Sequence, residues 1–179
     1  MTTNTAKVAR CEAIINYQFQ HKLKCLEALQ ASGHTLQWGG EVVPIRKNDN
    51  LAVFGDAVAK VSLCRRWYDS GRSKGQWSHA EQALLVNTNL SAVGYGHVLH
   101  DCVILNQVTL SVSDKTMACT VEAILGAVCI DGGADALSAV LVTLGLTHQF
   151  LEPVMSYSCL IYNTLSILLS TLSEVLDRV

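Results

Sequence analysis

The sequence predicts an all-α protein, and three observations carry that reading. Half of the 179 residues are hydrophobic and only two are proline, a balance that suits a compact, largely helical globule. Apolar segments of helical length follow one another, bounded by capping residues and glycines. No stretch alternates apolar and polar residues for long enough to predict a sheet. The length suits one domain with its own core. That domain is placed at residues 1–149, with 150–179 as a C-terminal amphipathic helix packing on the domain or on a dimer.

The elements can be justified in order. "ARCEAIINYQF" and "HKLKCLEALQASG" read as two short helices, the second closed by Gly33 as a C-cap. "HTLQWGGEVVPIRK" reads as a loop, with paired glycines and Pro44. The next helix takes Asn48 or Asp49 as N-cap, runs through "LAVFGDAVAKVSLCRRWYDS" and ends at Gly71. "WSHAEQALLVNTNLSAVGYGHVLHDC" reads as two helices around Asn87–Asn89. Ser113 or Asp114 caps a helix that stops at the Gly132–Gly133 pair, and "ADALSAVLVTLGL" forms another. Pro153 to Ser173 carries no charge, but its polar residues are ordered. Asn163, Ser166, Ser170, Ser173 and Asp177 share one helical stripe, and Ile161, Leu165, Leu168, Leu172 and Val175 share another. That pattern predicts an amphipathic packing helix and no membrane span.

Charge and cysteines narrow the class of protein. Residues 1–74 hold eleven of the thirteen basic residues and carry +5, whereas residues 75–179 carry −7. Nucleic-acid binding would have to use a local patch within Arg46, Lys47, Lys60, Arg65, Arg66, Arg72 and Lys74. Seven cysteines form no C-x-x-C pair, which predicts reduced thiols and an intracellular protein, cytoplasmic or nuclear. The first residues contain no uninterrupted apolar run of signal-peptide length, so secretion is not expected.

Two oddities point to a site. Gly55 and Asp56 interrupt the apolar helix that starts near Asp49, and Gly126 and Glu122 do the same in "ACTVEAILGAV". Glycine inside a helix costs about 1 kcal/mol relative to alanine. Finding it twice, beside the only acids of these stretches, predicts two helices in close approach. On the first helix Asp49, Ala52, Asp56 and Lys60 share one stripe, and Leu51, Phe54, Val58 and Val61 another. The first stripe then faces a site and the second the core. Close approach would bring Asp56 and Glu122 together, to share a proton or to bind a hard divalent cation.

"FGDAV", followed some sixty-five residues later by "TVEAILGAVCIDGG", resembles the two signature segments of the ribonuclease III family. "NYQFQHKLKCLEAL" and "LLVNTNLSAVGYGHVL" are similar to that family's opening helices and its intervening Asn-rich segment. The resemblance covers roughly residues 12–146. It implies an all-α homodimer whose active members cut double-stranded RNA with divalent metal, usually magnesium, held by four carboxylates. Asp56 and Glu122 match two of those acids, while Ala52 and Cys119 occupy the other two positions. Asp49 coincides with a further acidic position of the first signature and is a partial substitute. The resemblance thus makes Asp49, Asp56 and Glu122 the catalytic candidates, with Asp56 and Glu122 as metal ligands for weakly bound magnesium or manganese, or for no metal.

Alternatives stay open at several of these residues. Cys119 is a ligand for a softer metal such as zinc, or a small buried hydrophobe. Asp56 and Glu122 are ligands, or structural groups bonded to helix ends, Lys60 or Lys115. The "DSGRSKG" loop, residues 69–75, reads as flexible and basic, so Arg72 and Lys74, with Lys60, are the candidates for touching a phosphate. His79, His97 and His100 fit no zinc motif, and Trp67 and Trp77 read as filler. The function expected is binding or weak cleavage of double-stranded RNA by a homodimer away from membranes. The alternative is a catalytically dead or repurposed scaffold. Thirty residues after the nuclease-like domain are too few for a double-stranded-RNA-binding domain, which predicts low RNA affinity.

Overall fold

A computed structural model of the chain describes residues 3–106 and 108–153. Its elements run α1 (Asn4–Ile15), α2 (Lys22–Leu29), β1 (Leu36–Trp38), β2 (Glu41–Val43), α3 (Asp49–Ser70), α4 (Lys74–Leu84), α5 (Asn87–Gly96) and α6 (Asp114–Thr143). Short 3-10 turns lie at Leu99–Asp101 and Gln149–Leu151. The predicted C-terminal helix falls, from residue 154 onward, outside the described residues.

The architecture is all-α, and α6 is its axis. Met117, Val121, Ile124, Leu125 and Val128 of α6 are buried, and α2, α3 and α5 pack around it. By length and composition alone α6 could cross a membrane. Its neighbours explain that hydropathy, because a helix apolar on all sides belongs in a core. Ser113 caps its start by accepting a hydrogen bond from the Thr116 N–H at 3.2 Å. At Gly133 the backbone turns to φ 78°, ψ −168°, a region essentially confined to glycine. The two helices expected there are present, joined end to end at a kink at Gly133.

Three local expectations need correction. The helix α2 ends at Leu29, short of Gly33, because the chain leaves it to pair with a distant segment. The Ala31 N–H donates to the Ile104 carbonyl at 3.0 Å, and the Ile104 N–H to the Leu29 carbonyl at 2.8 Å. The loop expected before α3 contains a small antiparallel hairpin, Leu36 opposite Val43. Gly39 and Gly40, at φ 62° and 90°, form its turn, which needs left-handed backbone at both central positions. Strands of three residues are too short to show alternation. The "DSGRSKG" segment is a tight joint. Gly71 ends α3 at φ 69°, and Ser73 starts α4 in a reciprocal capping box with Gln76.

Two buried acids fix the joint between α1 and α2. Asp131 of α6 accepts from the Gln20 N–H at 2.8 Å, the His21 N–H at 2.9 Å and the Tyr17 hydroxyl at 2.8 Å. Glu12 accepts from the Phe19 N–H at 2.7 Å and pairs with Lys22.

Candidate metal centre

The site begins with two glycines. A Cβ on Gly55 would lie 1.8 Å from the Glu122 carbonyl oxygen and 2.9 Å from the Gly126 nitrogen. A Cβ on Gly126 would lie 2.5 Å from the Leu51 carbonyl oxygen and 3.2 Å from the Gly55 Cα. The backbones of α3 and α6 touch here, and only glycine on both sides permits it. The buried face of α3 is accordingly Leu51, Ala52, Gly55, Ala59 and Leu63. Phe54 and Val61, expected to face the core, are exposed. Small residues let the helices approach, so they take the core side and the larger ones are left outside.

This crossing puts the acids beside a common cleft of about 370 Å³. Asp49, Ala52 and Asp56 line it from α3, Asn87 from the start of α5, and Lys115, Cys119 and Glu122 from α6. Past Cys119 it continues into a hollow of about 270 Å³ bordered by Lys47 and Asn48. Asn48 is buried and its amide donates to the Ala28 carbonyl at 3.0 Å, so it anchors the entry of α3 to α2. Asn87 and Lys47 were not singled out by motif. The Asn-rich "NTN" was the available signal for the first, and the second appeared only as a member of the basic patch.

The electrostatics are those of a site short of positive charge. Burial, and then the neighbouring Asp56, push the Glu122 carboxyl up to about 7. Burial likewise raises the Cys119 thiol, with Glu122 and Asp49 adding to it and Lys47 and Lys115 opposing. Cys119 is therefore a protonated thiol at neutral pH, its sulfur 4.0 Å from Asn48 Oδ1. Asp49 pairs with Lys47 at 2.9 Å. Lys60 pairs with Glu81, so the shared site of Asp56 with Lys60 is limited to a neighbouring hollow that both border.

The basic candidates of the α3–α4 joint lie elsewhere. Arg72 stands over the Phe150 ring, 5.8 Å from its centre, and Lys74 is the first residue of α4. Both lie beyond the C-terminal end of α3, which is about 20 Å along that helix from Asp56 at 1.5 Å rise per residue. His79 meets Phe150 edge-on and His148 lies tilted against it, while His100 lies against Tyr95, all outside the cleft.

Residues 49–133 match the family model for the ribonuclease III domain. Residues 49–133, a little under half of the chain, are thus similar to the ribonuclease III domain. The match opens at the first residue of α3 and closes at the kink of α6, so it spans both helices of the crossing. Two solved structures share the fold. One, of the nuclease domain of ribonuclease III from Campylobacter jejuni, concerns structural flexibility in a region involved in dimer formation. It superposes with a TM-score of 0.65 at 17% identity, covering 76% of this chain and 94% of that one. A second structure of the same nuclease domain gives 0.61 at 17% identity, covering 76% and 91%. No curated protein sequence matches the chain.

Ribonuclease III domains generally work with divalent metal. Among the described residues no three His, Cys, Asp or Glu side chains are grouped to hold a metal ion. The cleft offers three carboxylates, Asp49 paired with Lys47 and Glu122 half-protonated at neutral pH, beside a protonated thiol and an alanine. Magnesium demands near-octahedral oxygen ligation. The residues present do not fit it.

Proposed function

We propose that the chain is a ribonuclease III-fold protein that binds structured double-stranded RNA as a homodimer and cleaves it weakly at most. The observation that carries this reading is the cleft itself. It keeps Asp56 and Glu122 at the glycine crossing, but has Ala52 and Cys119 where the resemblance expects two further acids. Metal-assisted phosphodiester cleavage needs a cation that activates water and stabilises charge on the phosphate. Without the anionic ligands that hold such a cation, the groove retains a shape for RNA but loses the chemistry.

Asp49 lines the same cleft and is the remaining candidate for partial replacement, although its pairing with Lys47 occupies part of its charge. Homodimerisation is supported by the shared fold and by Val53, which is 75% exposed on α3 beside the cleft. Six free thiols among the described residues support an intracellular location.

The test uses one long RNA duplex, with binding and cleavage measured for the native chain and for Ala52→Glu combined with Cys119→Asp. The native chain should bind whether magnesium or a chelator is present. The restored protein should cleave at least about a hundredfold faster, the scale of losing a preorganised charge-stabilising group. Native cleavage that already equals the restored rate, and that Asp56→Ala abolishes, would refute the degenerate site. Absence of RNA binding by both proteins would favour the scaffold role.

A further inference from the structure

Lys7 is a half-buried cation without a counter-ion. It stands one turn before the buried Cys11 on α1, so its stem runs inward along apolar surface. Its ammonium donates to the Val103 carbonyl. Asp101 acts on Lys7 but is paired with Arg10 at 2.7 Å, and no acid among the described residues forms an ion pair with Lys7. Burial holds the Lys7 pKa below the ordinary lysine value, with Cys102 and Asp101 opposing. A desolvated ammonium is costly until an anion pairs with it.

This ammonium borders a groove of about 540 Å³, a size that suits a small molecule. Tyr95 and His100 form one wall, their rings 5.4 Å apart and tilted by 41°. The Tyr95 hydroxyl donates to the Val112 carbonyl and so tethers the neighbouring loop. Val103, Leu105 and Val112 make the rest of the lining apolar, and Leu110 stands on the rim 98% exposed. The backbone that presents His100 and Asp101 is strained. Val98, immediately before their turn, has φ 59°, an outlier for a β-branched residue, and such strain gathers at ligand sites. Asn87, in the carboxylate cleft, and Tyr95 are eight residues apart on α5. The groove therefore lies about 12 Å along that helix from the cleft.

We propose that this groove binds a small organic monocarboxylate with an apolar or aromatic body, its carboxylate on Lys7 and its body along Tyr95, Leu105 and Leu110. The charges select the anion. Lys7 and Arg10 against Asp101 leave one positive charge, which a monoanion neutralises and a phosphate dianion exceeds. The walls select the body, because acetate would leave Leu105 and Leu110 in water.

Titration of the full chain with phenylbutyrate, followed by calorimetry and by the NMR signals of the histidine rings, tests this. The probe should bind saturably with a Kd of about 1 mM or below, the level a ligand of this size reaches. It should shift the His100 ring signals and leave those of His79 unmoved. Acetate has the charge without the body, and phenylbutanol the body without the charge. Each should bind at least about tenfold more weakly. Lys7→Met should cost phenylbutyrate about tenfold in affinity, Lys7→Arg should keep most of it, and Leu110→Ser, at an exposed rim position, should weaken it about threefold. Absence of saturable phenylbutyrate binding would overturn the proposal. So would phenylbutanol or inorganic phosphate binding the native chain as tightly as phenylbutyrate, or native affinity in Lys7→Met.

Discussion

Gly55 and Glu122 carry the site at the scale of single residues. Gly55→Ala would drive a methyl group into the backbone of α6 and should destabilise the fold by about 3 kcal/mol or more, measurable by urea denaturation. Glu122 makes an opposite, pH-dependent prediction. Its folded pKa is raised to about 7, so the folded state holds a proton that the unfolded state releases from about pH 4.5 upward. Stability therefore falls as pH rises from about 4.5 through 7. Glu122→Gln should stabilise by about 1–2 kcal/mol at pH 8, once solvent screening of a half-buried group is allowed for, and by little at pH 4. Asp131 runs the other way. Burial opposes its ionisation, but the Gln20 and His21 N–H groups, the Tyr17 hydroxyl and the His21 ring outweigh it and lower its pKa. Its contribution is present above the ordinary carboxylate range and lost as pH falls through the depressed value. Asp131→Asn should accordingly destabilise at pH 7 and lose that effect in acid.

At the scale of elements, the legible features were those with a local cause. Gly71 marked the end of α3, Ser113 the start of α6, and paired glycines the kink. The crossing was legible because glycine beside an acid has no local reason in a buried helix. What failed had a distant cause. The end of α2 is set by Ile104, more than seventy residues away, and the hairpin strands are three residues long. The outward turn of Phe54 and Val61 follows from small residues taking the core side, which a count of large apolar residues misreads. Lys60 looked like a companion of Asp56 because one helical turn separates them, but Glu81 on α4 holds it. The kink supplies this scale's test: Gly133→Ala should cost about 1–3 kcal/mol, because only glycine rests easily at that backbone geometry.

For the whole molecule, the fold and the site point in different directions. The helical frame is that of a ribonuclease III domain, with the signature helices crossing at glycine. The cleft at that crossing is lined by Asp49, Asp56, Glu122 and Lys115 with Ala52 and Cys119 among them, and the half of the chain that supplies Glu122 is acidic overall. A molecule built this way should self-associate, and sedimentation equilibrium at micromolar concentration should show a dimer. The central claim is that the cleft has lost its hold on a hard divalent cation, and calorimetric titration with magnesium tests it most directly. The native chain should show no saturable binding up to about millimolar magnesium, whereas Ala52→Glu with Cys119→Asp should show one site per chain. Saturable, stoichiometric magnesium binding by the native chain, abolished by Asp56→Ala, would contradict it.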